Sequence, residues 1–251
     1  MENSFLKVSC LIPKLRISDI RFNAQSILDS YQKNEDSSIL VTPELSLCGY
    51  TCQDLFFQDA FLKEVEDALF FLAENVHENL LLVGAPLRKN NKLYNCAVFL
   101  SNGKIKGAIP KSFIPNYGEF YEARWFASGK DIKVDSVKIK GEEIPFGTKL
   151  LFADKNSSAV ISAEICEDLW VGEKPSTEAC LNGANIICNL SASDENVSKR
   201  NYRKKLVEMQ SSTLYCSYLY CSSSTDESSQ DLVFSGHNII ADNGAILNEC
   251  I

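Results

Sequence analysis

The chain has 251 residues, 45% of them hydrophobic, and carries a formal net charge of −8. That length suits one large core or at most two small ones, and an acidic balance with no basic patch speaks against nucleic acid and anionic membrane as partners. Ten cysteines, no leader-like start in Met-Glu-Asn-Ser-Phe-Leu-Lys and no apolar run of membrane-spanning length predict a protein of the reducing cytoplasm.

Leu6, Val8, Cys10 and Ile12 alternate, which predicts a strand. Ser18 or Asp19 can cap a helix carrying Ile20, Ala24, Ile27, Leu28 and Tyr31 at helical spacing. Ser38–Glu44 reads as a short buried strand stopped by Pro43, which leaves Glu44 at a strand exit. A long helix is expected over roughly 54–76, with Leu62, Val65, Leu69, Leu72 and Val76 as its core stripe. A strand over 80–87 follows. A hairpin turning at Asn102-Gly103 then leads into Ala108-Ile-Pro-Lys111 and puts Lys111 at a second strand exit.

Residues 111–130 are aromatic-rich and irregular, suited to lining a pocket, and 131–158 read as two more strands. Val160–Ile165 is an apolar run that stops at Cys166-Glu167-Asp168. A thiol at a strand end, where backbone amides are free to converge on one point, is a good position for a nucleophile. Beyond it the pattern predicts a short helix between Pro175 and Gly183 and a strand over 186–191. A basic helix over 199–215 with Tyr202, Leu206 and Met209 inward, a strand at 219–221 and a hairpin around Asn243-Gly244 complete the pattern. With no Gly/Ser/Pro linker, residues 1–251 read as one domain. Alternating strands and helices interrupted by hairpins predict an α/β protein made of two mixed sheets packed together with helices outside, a four-layer α-β-β-α sandwich. The chain stops in an expected strand, which predicts an amino-terminal fragment of a longer protein.

No Cys-x-x-Cys pair occurs and Cys48 and Cys52 lack histidine neighbours, so no metal site is expected. His77 and His237 are the only histidines, the first in a predicted helical segment and the second after a Ser-Gly turn. Either could serve a cysteine enzyme, but the strand-exit residues offer a carboxylate base instead. Glu44 can take the thiol proton, Lys111 can stabilise an oxyanion, and Cys166 can attack a carbonyl or nitrile carbon.

These residues resemble the nitrilase, or carbon-nitrogen hydrolase, superfamily, whose catalytic set is Glu, Lys and Cys. Four ordered blocks are similar to the amino-terminal glutaminase domain of the glutamine-dependent NAD synthetase family: Pro43–Gln58, Ile109–Glu122, Glu164–Trp170 and Asn189–Ser193 with Tyr202-Arg203. The resemblance runs nearly the whole length. It implies Cys166 as nucleophile, Glu44 as base and Lys111 as oxyanion stabiliser, helped by the Glu167 amide. It further implies Glu119 as the second glutamate that positions the lysine. Tyr117, Phe120, Glu167 and Ser193 would bind substrate, with Lys199 as the basic residue expected beyond Ser193. The implied reaction is hydrolysis of L-glutamine through a cysteine thioester, with no cofactor in this domain. The ammonia would serve a covalently linked synthetase domain that uses ATP, Mg and deamido-NAD, and a homo-oligomer is expected. The Ser-Gly-Gly-x-Asp-Ser phosphate loop of that second domain does not occur here. A stand-alone amidase acting on another small amide, or a non-catalytic assembly module, are the alternatives.

Overall fold

The computed structural model describes residues 5–229 and 231–250. Two sheets form the middle of the molecule. The first has seven strands in the order β1-β2-β3-β4-β5-β7-β6. These are β1 Val8–Cys10, β2 Ile39–Val41, β3 Leu80–Lys89, β4 Lys92–Ser101, β5 Lys104–Pro110, β6 Asp135–Ile139 and β7 Glu142–Phe146. The second has six, in the order β13-β12-β11-β10-β9-β8. They are β8 Phe152–Ala153, β9 Val160–Ile165, β10 Ile186–Ser191, β11 Ser217–Ser222, β12 Asn238–Asp242 and β13 Ala245–Cys250. β1, β2 and β3 pair in parallel, as do β9, β10 and β11, while hairpins add antiparallel strands at the far sides.

The helices are α1 Ile20–Gln32, α2 Asp59–Asn75, α3 Pro175–Leu181 and α4 Lys199–Leu214. Burial separates into three apolar clusters, and these define the layers. One joins α1 and α2 to the outer face of the first sheet through Ile27, Leu28, Leu69, Leu72, Leu81 and Val83. A second lies between the sheets, where Val41, Leu82 and Phe99 meet Ile161, Ile165 and Leu190. The third joins α4 to the outer face of the second sheet through Val207, Tyr218, Tyr220 and Ile239. Strands β2, β9 and β10 are buried on both faces, so they show no polar-apolar alternation, and the polar residues inside β9 and β10, Ser162, Glu164, Asn189 and Ser191, are buried too. The architecture is the expected α-β-β-α sandwich.

Several local expectations hold for the reasons given. Asp19 caps α1 by accepting from the Phe22 amide, and Asn102 and Gly103 both take positive φ in the β4–β5 turn. Others differ. The helix expected from residue 54 is a 3₁₀ turn, Gln53–Phe57, and Gln58 is extended before α2 begins. His77 lies beyond the end of α2, where its amide donates to the Tyr31 hydroxyl. Residues 131–158 hold three strands rather than two.

The face of α4 is also rotated from the expected one, and of its three expected inward residues only Leu206 packs, partly buried, against the third cluster. Tyr202 and Met209 are largely exposed, and Arg203, Val207, Gln210 and Ser211 point inward. Helical spacing could not foresee this, because burial of Arg203 is made tolerable only by polar partners brought from distant parts of the chain. Among the described residues no helix is long and apolar enough to cross a membrane.

Candidate active site

Glu44, Lys111 and Cys166 each follow a strand, β2, β5 and β9, and the packing of the two sheets brings the three exits together. Glu44 and Lys111 are wholly buried, and Cys166 is 7% exposed. The Lys111 ammonium donates to Glu44 Oε1 at 2.7 Å and to Glu122 Oε1 at 2.6 Å. Asn95 Nδ2, from the middle of β4, adds a bond to Glu44 Oε1 at 2.6 Å, and the Ala192 amide donates to Glu44 Oε2 at 2.8 Å. Both oxygens of Glu44 are therefore held, one from the β5 exit and the middle of β4 and the other from the β10 exit.

The turn carrying Glu44 lies directly over β3. A methyl group on Gly84 would stand 2.3 Å from the Leu45 nitrogen and 2.4 Å from the Pro43 carbonyl, so only glycine allows this approach. Leu45 takes a positive φ of 50° to complete the turn.

Cys166 itself has φ 43°, a left-handed conformation that costs about 1–3 kcal/mol and is retained where the surroundings impose it. Asp168 holds that turn. Its buried carboxylate accepts from the Ile165 amide at 3.0 Å and from the Phe113 and Ser112 amides at 2.8 and 3.2 Å. The nucleophile turn is thus tied to the chain just after Lys111. Burial pushes the Asp168 carboxyl up to about 8, against amide donors that pull it down.

Charge decides the resting state. Burial and the nearby Glu44 carboxylate push the Cys166 thiol well up, so it rests protonated and needs a base to attack. Burial alone would lower the Lys111 ammonium, but Glu122 and Glu44 outweigh it and the net shift is upward. Burial raises Glu122 to about 7. Its Oε1 also accepts from the Tyr50 hydroxyl at 2.7 Å, while its buried Oε2 has no partner among the described residues.

The position expected for Glu119 is thereby corrected. The carboxylates bonded to Lys111 are those of Glu44 and Glu122, and Glu119 lines the adjoining hollow with Tyr50, Phe120 and Trp125. Spacing from Lys111 could not separate two glutamates three residues apart in an irregular segment. Glu122 reaches inward because the short 3₁₀ turn Glu122–Arg124 begins with it.

The other expected pocket residues gather at a rim beside Cys166. Tyr117 donates its hydroxyl to Glu167 at 2.9 Å and packs edge-to-face on Phe120 at 5.9 Å. The Lys199 ammonium lies over the Phe120 and Trp170 rings at 5.9 and 5.3 Å and pairs with Asp194. The Ser193 hydroxyl accepts from Arg203 at 3.3 Å. No role is expected from the sequence for Asn95, Tyr50, Asp168 or Arg203. Tyr50, Asp168 and Arg203 do stand in the blocks that carry the family resemblance, and Asn95 stands out as an amide in a mostly apolar strand.

The arrangement combines a buried thiol, a carboxylate base and a buried ammonium, which is the chemistry of acyl transfer through a thioester. The chain is 38% identical over 253 aligned positions to a glutamine-dependent NAD(+) synthetase of Mycobacterium bovis, with 99% of this chain and 37% of the relative covered. It is 32% identical over 241 positions to the human protein of that name, covering 91% of this chain and 34% of the relative. The chain therefore spans little more than a third of the length of the curated relatives it matches.

Among solved structures, a glutamine-dependent NAD(+) synthetase from Cytophaga hutchinsonii superposes with a TM-score of 0.88 at 29% identity, covering 98% of this chain and 40% of that one. The Saccharomyces cerevisiae protein Nit3 shares the fold, with a TM-score of 0.72 at 18% identity over 98% of this chain and 85% of that one. Residues 12–250 match the family described as carbon-nitrogen hydrolase, and by that match the chain belongs to the carbon-nitrogen hydrolase family.

Proposed function

We propose that this chain is the amino-terminal glutaminase domain of a glutamine-dependent NAD synthetase, hydrolysing L-glutamine to glutamate and ammonia. The observation that carries the chemistry is the wholly buried Glu44–Lys111 pair beside a thiol held in a left-handed turn. Cys166 Sγ attacks the side-chain amide carbon while Glu44 takes the thiol proton. The developing oxyanion is stabilised by Lys111 and the Glu167 amide. Glu44 returns the proton to the leaving nitrogen, ammonia departs and a thioester remains. Water, deprotonated by Glu44, attacks the thioester carbonyl and releases glutamate, restoring the thiol. Tyr117, Phe120, Glu167, Ser193 and Lys199 form the binding wall, and Glu122 takes the lysine-positioning role first given to Glu119.

The ammonia serves a covalently linked synthetase domain, where ATP, Mg and deamido-NAD bind. Names and coverage of the relatives support this reading. Ten cysteines suit a protein of the reducing cytoplasm. The exposed apolar stripe of Tyr202 and Met209 on α4 suits a homo-oligomer.

An electrophilic glutamine analogue tests the reading. One covalent addition on the peptide holding Cys166 is expected, and Cys166→Ala should release no ammonia from glutamine while keeping the wild-type Tm. Labelling spread over several cysteines would overturn the assignment. Faster release of ammonia from other small amides than from glutamine would favour a stand-alone amidase. The 251-residue chain alone should form no NAD from deamido-NAD, ATP and ammonia, and NAD formation by it would refute the two-domain reading.

A further inference from the structure

Arg203 is a wholly buried guanidinium outside the set of groups used above. Such a group survives burial only where its donors are matched. Here the two terminal nitrogens are matched and only the buried Nε has no partner among the described residues: Nη2 donates to the Ser193 hydroxyl at 3.3 Å and the Asp194 carbonyl at 3.2 Å, and Nη1 donates to Glu195 Oε2 at 3.0 Å. Three consecutive residues are thus gathered onto one side chain. They continue from Ser191 and Ala192, the pair that touches the base: the Glu44 amide donates to the Ser191 carbonyl at 3.3 Å, and the Ala192 amide donates to Glu44 Oε2 at 2.8 Å.

The guanidinium is itself braced from behind. His237, 1% exposed, places Nδ1 2.9 Å from Arg203 Nη1. Arginine has only donors, so Nδ1 must accept, and the ring proton sits on Nε2. Nε2 then donates to Glu249 Oε1 at 3.1 Å, on β13. Arg200 and Lys204 of α4 hold the same carboxylate at 2.9 and 2.6 Å. An unbroken line of contacts therefore runs from Glu249 through His237 and Arg203 to the 192–195 loop and on to Glu44.

We propose that Arg203 is a positioning residue for the general base, holding the loop that presents the Ala192 amide to Glu44. The inference rests on the glutaminase reading for the role of Glu44, but its geometry does not depend on which amide is cleaved. A lysine keeps the charge and loses the planar fork that spans the loop and His237, so Arg203→Lys isolates the fork.

The test compares wild type and Arg203→Lys in the full-length protein. It reads Tm, kcat and KM for glutamine hydrolysis, and the rate at which iodoacetamide alkylates Cys166, followed by mass spectrometry. Expected are a kcat lower by about 10–100-fold, as for a base displaced by a fraction of an ångström, and a KM within about threefold. Alkylation of Cys166 should slow about as much as turnover, because it too needs the base. A folded variant whose kcat and alkylation rate stay within about twofold of wild type overturns the proposal, as does a change confined to KM.

If Arg203→Lys does not fold, Glu195→Gln removes one partly exposed anchor and should lower kcat by about 3–10-fold at unchanged KM. An unchanged kcat there overturns the proposal equally. Wild type that releases no ammonia from glutamine would sink the glutaminase reading instead, and the alkylation arm would still decide the role of Arg203.

Discussion

Glu44 and Lys111 are wholly buried and held by partners from several strand exits, whereas Tyr117, a few residues beyond Lys111, is 58% exposed and held mainly by Glu167 and Phe120. The reacting groups are fixed by the sheets, and the binding wall is laid on by a loop. Inside, removing one charge strands its partners in a medium that solvates them poorly. At the rim, water replaces what is lost. Substitutions in the two regions should therefore separate activity from stability in opposite ways.

The largest expected effect comes from the buried ammonium. Lys111→Met leaves Glu44 and Glu122 facing each other without a cation. Turnover should fall by about 10²–10⁴-fold, and stability by about 3–5 kcal/mol. Glu44→Gln should cost a similar factor in rate with a smaller loss of stability, because its one carbonyl oxygen can still accept from Lys111 and Asn95 and only the Ala192 amide loses its acceptor. Stopped assays of ammonia release and urea melts measure both. A Lys111→Met protein as stable as wild type would contradict the account of the buried cluster.

Gly84→Ala tests the packing under the base. Its new methyl would meet the Leu45 nitrogen and Pro43 carbonyl, so the Glu44 turn must shift. A loss of about 1–3 kcal/mol is expected, together with a lower kcat although residue 84 touches no reacting atom. Wild-type kcat in this variant would show that the turn does not set the base.

A smaller effect is expected from pH. Burial raises Glu122 to about 7 from an ordinary value of 4.5, so the folded state binds the proton more tightly than the unfolded chain does. The sign follows: this contribution is complete below about 4.5 and is lost as pH rises through about 7. The slope reaches at most about 1.4 kcal/mol per pH unit. Wild type should therefore lose Tm relative to Glu122→Gln between pH 5 and 8, and parallel curves would remove the argument. The proton has a natural seat on Oε2, the oxygen without a partner among the described residues.

The smallest effect belongs to the rim. Tyr117→Phe removes a hydroxyl from Glu167, and stability should stay within about 0.5 kcal/mol while KM rises by roughly tenfold or less. A large fall in kcat at unchanged KM would move Tyr117 into the reacting set.

Much of this was legible in the order of residues. Apolar runs that lead to Glu44, Lys111 and Cys166 announce both the buried strands and the groups at their exits, because strands buried on two faces are mostly apolar between their ends; Glu164, buried inside β9, is an exception held by the Tyr218 hydroxyl and the Ser176 amide. Turn chemistry at Asn102-Gly103 and capping at Asp19 are equally local, set by which backbone angles a residue tolerates and which amides a short side chain can reach.

What tertiary structure decided is which distant groups could share a proton or a charge. Glu122 rather than Glu119 meets Lys111 because an irregular loop folds that way against Tyr50. Arg203 turns inward, and the apolar stripe of Tyr202 and Met209 outward, because Ser193, Asp194, Glu195 and His237 arrive from elsewhere to receive a buried guanidinium. Periodicity ranks residues by their own hydrophobicity. The free energy of burying a charge depends on partners that are far apart in the chain, and only the fold brings them together.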